Sequence, residues 1–123
     1  MRQSTGRIPA CLTKLYKTTI ALYDADFMLS ALHQSDLNAA ASQIPFLESK
    51  IKELENQQKA LMTEAEAFLE PIREGNAKAY FLIKLHFFVG MEWETIGNCF
   101  GKSGFAEKTM AYRALDKLKV TSK

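Results

Sequence analysis

Apolar positions fall at helical spacing along almost the whole chain. Between Leu12 and Leu32 they recur at mixed three- and four-residue steps, at Leu12, Leu15, Tyr16, Ile20, Tyr23, Phe27 and Ala31. That spacing predicts one long helix, or two with a break near Asp24. Ser35 offers an N-cap for a further helix, with Asp36 in the first turn. Pro45 either opens a helix or kinks one already under way. No run of alternating β-branched residues bounded by turns is present, so the expected fold class is all-α.

The clearest periodicity comes after Pro45. Leu47, Ile51, Leu54, Gln58, Leu61, Ala65, Phe68 and Ile72 are separated by steps of 4, 3, 4, 3, 4, 3 and 4. This is a heptad seam with one polar member, Gln58, flanked by the charged face of Glu48, Lys50, Lys52, Glu53, Glu55, Lys59, Glu64 and Glu66. A stripe this narrow needs a partner helix. The partner is either the N-terminal helix folded back or the same helix of a second chain. The second option makes Leu47, Ile51, Leu54, Gln58, Leu61, Ala65 and Phe68 a homodimer interface, the expectation preferred here, with Gln58 helping to fix register. A stop or kink is expected at Pro71 and an end at Glu74-Gly75-Asn76, with Asn76 capping the next helix. Residues 1–75 thus form a helical, coiled-coil region, and residues 76–123 a second module.

In that module Tyr80, Phe81, Ile83, Leu85, Phe87, Phe88 and Val89 make a dense apolar rod that Gly90 ends. Glu92 precedes a short helix from Trp93 to Phe100. Gly101 supplies the left-handed residue of a tight turn, and Ser103 or Gly104 caps a last helix reaching about Val120. Ile96, Gly97, Gly101 and Met110 have helix-turn-helix spacing, with Met110 packing back on the first helix of the pair. The opposite face carries Lys108, Thr109, Tyr112, Arg113 and Lys119, residue types that contact phosphates and base edges.

Charge sharpens this division. The net charge is +2, but it is +1 over residues 1–45, −3 over 46–75 and +4 over 76–123, and the last 22 residues alone carry +4. A basic end on a near-neutral protein suits phosphate, as it also suits a solvated helix. Composition, 47% hydrophobic and 24% charged, is that of a folded chain. No apolar run approaches the roughly 20 residues a membrane crossing needs. The start, MRQSTGRIPACLTKLYKTT, lacks an apolar stretch and a cleavage site, so no signal peptide is expected and Cys11 and Cys99 should be reduced thiols. His33 and His86 have no Cys or His at ligand spacing, so neither metal nor cofactor is expected. With no nucleophile–base pattern and no phosphate-cradling Gly-rich loop, an enzyme is the least favoured class.

The stretch from Tyr80 to Leu118 resembles the fourth region of bacterial sigma factors, whose helix-turn-helix reads promoter DNA. It is more similar still to small phage and prophage proteins that carry such a module behind a helical half, the ArpU/RinA-type late-gene regulators among them. The residues carrying the resemblance are Asn76, Leu82, Leu85, Phe87-Phe88, Gly90, Trp93, Ile96-Gly97, Phe100-Gly101, Ser103, Met110 and Ala114-Leu115. It implies a DNA-binding transcription regulator of the bacterial cytosol. In such a protein Lys108, Thr109, Tyr112 and Arg113 face the major groove, Ser103 and Phe105 lie at the helix start, and Lys102, Lys117 and Lys119 contact phosphates. Two departures point elsewhere. Glu107 stands where the family has Val or Ile, and must turn outward, pair with Lys108 or Lys102, or be relieved by a helix rotated onto Ala106, Met110, Ala114 and Leu118. Gly104, Phe105 and Ala106 at the helix start offer bases no side-chain hydrogen bonds. They favour the alternative of a phage-encoded inhibitor that binds a protein, such as host RNA polymerase or a defence nuclease of the CRISPR type.

Overall fold

The computed structural model describes residues 8–34 and 42–121, with side chains to Leu118. The described residues are all-α. Helix α1 spans Ala10–His33 without a break at Asp24, and α2 spans Ile44–Gly75. Helix α3, Ala77–Ile83, runs on into a π-helical turn over Lys84–Phe88. Helices α4, Trp93–Phe100, and α5, Gly104–Thr121, complete the chain. Ser35 and Asp36 lie outside the described residues.

Pro45 sits in the first turn of α2, where its missing N–H costs nothing. Pro71 does not stop the helix, which runs four residues further. Its ring is on the exposed face, and Ala67, whose carbonyl loses the bond, is also exposed, so water can serve that group. The helix ends at Gly75, and Asn76 caps α3 as expected, its Oδ1 accepting from the Ala79 N–H at 3.2 Å.

The heptad stripe has its partner within the chain. Helix α1 folds back antiparallel on α2. Near the open end Ile51 packs with Leu22 and Ala25, with Leu54 and Leu29 beside them. Near the other end Ala65 and Leu69 meet Cys11, Leu12 and Leu15 in the main core, and Leu61 and Phe68 pack against it. Gln58 donates from Nε2 to the Thr19 hydroxyl at 3.1 Å. Thr19, itself buried, faces the Phe88 carbonyl at 3.5 Å, so one buried polar relay ties both hairpin helices to the π turn. The dimer expected through Leu47, Ile51, Leu54, Gln58, Leu61, Ala65 and Phe68 therefore loses its motive, because α1 occupies that stripe. The large apolar side chains left in water on the hairpin lie toward its far end, with Phe27 75% and Phe46 67% exposed.

The rod of α3 and its π turn runs through the centre. His86, Phe87 and Phe88 are three successive buried residues, which a helix with one covered face could not provide. Neighbours enclose the rod on several sides. His86 is stacked between Tyr16 of α1, at 4.5 Å between centroids, and Trp93 of α4, at 4.3 Å. Its Nδ1–H donates to the Met91 carbonyl at 2.7 Å, leaving Nε2 as the titrating nitrogen. Burial lowers the His86 pKa below its usual 6.5, with Lys108 adding in the same direction. The native state then resists a proton that the unfolded chain accepts. Stability is expected to be full above pH 6.5 and to fall as pH drops below it, until the depressed native pKa is passed. Thermal unfolding at pH 7.5 and 5.5 checks this. The drop should be smaller in His86→Phe, and an equal drop in both proteins would assign it to other groups.

Candidate nucleic-acid interface

Two short backbone contacts set the angle between α4 and α5. A Cβ on Gly97 would lie 2.6 Å from the Lys102 carbonyl oxygen and 2.7 Å from the Gly104 nitrogen. A Cβ on Gly104 would lie 2.8 Å from the Trp93 carbonyl oxygen. Each helix thus offers a bare backbone to the other. Gly101, at φ 70°, makes the turn, and the Lys102 N–H returns to the Gly97 carbonyl at 2.9 Å. Ser103 is the cap of α5, its Oγ accepting from the Ala106 N–H at 3.0 Å. The two helices thus meet at a tight elbow, with Gly97 and Gly104 in the close-approach positions.

The inner face of α5 is Glu107, Ala111, Ala114, Leu115 and Leu118, all buried. Met110, expected to pack back, is 37% exposed, and Ala111 takes the inner place instead. The helix is not rotated onto Ala106 and Met110, since both are exposed. Glu107 therefore stays on the inner face of α5, only 1% exposed. Its partner is neither Lys102 nor Lys108. Lys78, on α3, brings Nζ to 3.7 Å from Oε1 and also sits 5.5 Å from the centroid of the Phe100 ring. Oε2 is buried and has no hydrogen-bond partner among the described residues. The first turn of α5 adds a favourable helix dipole, but the carboxylate remains a costly group in a core position.

The outward side chains divide into two flanks about Phe105, which is 79% exposed at the helix start. On one flank Lys108 reaches over the Tyr112 ring at 5.5 Å, and Tyr112 stands edge-on to Trp93 at 6.2 Å. Tyr112 is half-buried, so it supports α4 and offers only part of its ring to a ligand. On the other flank Arg113 and Lys117, both exposed, border a cleft toward α2. Lys102, Ser103 and Phe105 cluster at the turn, with Thr109 partly exposed one turn on. The Lys119 side chain lies outside the described residues. The expected residues thus divide between the two flanks and the turn, with Tyr112 largely committed to packing and Ser103 to capping.

No protein-family model, curated protein or solved structure matches the chain.

Sequence reasoning missed three participants. Lys78 gave no signal, because its pairing with Glu107 spans 29 positions. Ala111 could have been found as the residue one helical turn after Glu107. The cleft beside Arg113 and Lys117 needs the end of α2 for its other wall. Among the described residues no helix is long and apolar enough to cross a membrane.

Proposed function

We propose that the protein is a sequence-specific DNA-binding regulator that lays α5 in the major groove. The observation that supports this best is the elbow. Backbone-to-backbone packing at Gly97 and Gly104 holds α5 rigidly across α4, with Lys102, Phe105, Lys108 and Arg113 in water. A stiff helix pair with a basic outer face is what groove docking requires. Phe105 supplies an apolar contact of the kind a thymine methyl accepts, and Thr109 a short donor and acceptor one turn on. Lys78, 3.7 Å from the buried Glu107, offsets the carboxylate charge that would otherwise oppose phosphate.

The test is selection of duplexes from a random pool, followed by titration at fixed salt. One sequence should bind at least about a thousandfold more tightly than unrelated duplex at about 0.15 M salt. Lys102→Ala should weaken every duplex and lower the salt slope by about 1. Thr109→Val should leave affinity for random duplex unchanged and relax the preference at one base step.

A second reading, a phage-type inhibitor of a host protein such as RNA polymerase or a defence nuclease, is favoured by one observation. Phe105 is 79% exposed at the start of α5, and large apolar groups at a surface are typical anchors of protein contacts. Equal binding to all duplexes, together with a nuclease-resistant protein complex lost in Phe105→Ser, would replace the first reading with this one.

A further inference from the structure

Beside α5 lies a cleft of about 470 Å³ that shares Arg113 and Lys117 with the face assigned to DNA. One wall is the end of α2 with the cap at its end, Pro71, Ile72, Gly75 and Asn76. The other is the flank of α5, Met110, Arg113, Ala114, Lys117 and Leu118. Its volume is within the range of small-molecule sites, which are mostly apolar with a few placed polar groups. Here the apolar groups are Pro71, Ile72, Met110, Ala114 and Leu118.

The polar side chains that line it suit an anion. Arg113 and Lys117 are one helical turn apart and border the same opening. Asn76 spends its Oδ1 on the Ala79 N–H at 3.2 Å, which leaves the side-chain amide hydrogens as what it can offer a ligand. Among the described residues no carboxylate lines the cleft. The nearby Glu70 is bonded to Arg73 at 2.6 Å. The geometry points to a binding site for a small soluble carboxylate with an apolar body. The guanidinium of Arg113 takes the carboxylate in its planar fork, and the chain lies along Ile72, Ala114 and Leu118. A bare phosphate would leave the apolar wall wet, and a neutral chain would leave the guanidinium unanswered. The site stands independently of whether α5 reads DNA.

Calorimetric titration of the full chain with sodium decanoate below its micelle concentration tests the site. Saturable binding at one site is expected. Inorganic phosphate, which has charge without a chain, and decanol, a chain without charge, should each bind at least about tenfold more weakly. Gly75→Phe adds bulk at the cleft wall without backbone strain, because a Cβ there meets nothing within 4 Å and its backbone is not left-handed. It should weaken decanoate by about tenfold or more, as should Arg113→Gln, each with an unchanged circular dichroism spectrum. Phe27→Ser removes an apolar group at the far end of the hairpin and should leave binding intact. The inference is overturned by an absence of saturable binding or by phosphate or decanol matching decanoate. It is equally overturned by binding that survives Gly75→Phe or is lost in Phe27→Ser.

Discussion

Replacing Lys78 by Met is expected to destabilise the protein by about 2–3 kcal/mol, while replacing Glu107 by Val is expected to stabilise it by about 1 kcal/mol. The opposite signs follow from the unequal burial of the two partners. Glu107 is 1% exposed and Lys78 38% exposed. Removing the lysine strands a carboxylate in the core, one oxygen of which already has no hydrogen-bond partner among the described residues. The expected loss is below the full cost of an isolated buried charge, because the Lys78 side of the pair is open to water. Removing the carboxylate instead returns Lys78 to solvent and gives Ala111, one turn on along the buried face, an apolar neighbour. Chemical denaturation of the two single variants and the double variant reads the cycle. The double should match Glu107→Val within about 0.5 kcal/mol, since Lys78 has nothing left to compensate. A silent Lys78→Met with a destabilising Glu107→Val would show that the carboxylate is held by something other than this lysine.

Gly97→Val should cost at least about 3 kcal/mol, as an overpacked core site with no room to relax. The obstacle is the backbone of the turn: the Lys102 carbonyl oxygen, the Ser103 carbonyl carbon and the Gly104 nitrogen are all within 2.8 Å of a Cβ. A flexible side chain could swing away, but a turn fixed by its own hydrogen bond cannot. The elbow would have to open, so duplex binding should fall more steeply than stability alone requires. Gly75→Val, on an open helix end, is the matched control and should cost less than about 1 kcal/mol. Equal losses at the two glycines would mean that the elbow is looser than its contacts indicate.

Helix periodicity made most elements legible before any tertiary contact was known. The caps at Asn76 and Ser103, the start at Pro45 and the left-handed turn at Gly101 are local features. Each depends on a side chain or dihedral within a few residues of the helix end, so the sequence specifies them directly. That the helix runs past Pro71 has a physical reason too. The cost of a proline inside a helix depends on whether water can reach the freed carbonyl, and that is a matter of which face it occupies.

What the sequence by itself determined is the set of amphipathic faces and the turns between them. It left open what each face meets. The heptad stripe from Leu47 to Ile72 is equally consistent with a second chain and with α1, because a helix face specifies apolar contact and not its source. Only the folded chain shows α1 lying on it, with Gln58 bonded to Thr19. The same holds for Glu107. Its neighbours in sequence suggested Lys102 or Lys108, while the backbone packing of Gly97 against Gly104 fixed the roll of α5 and turned the carboxylate inward to Lys78. Tertiary structure decided these matters because burial and charge pairing depend on distance in space, which helical spacing constrains only within a single helix.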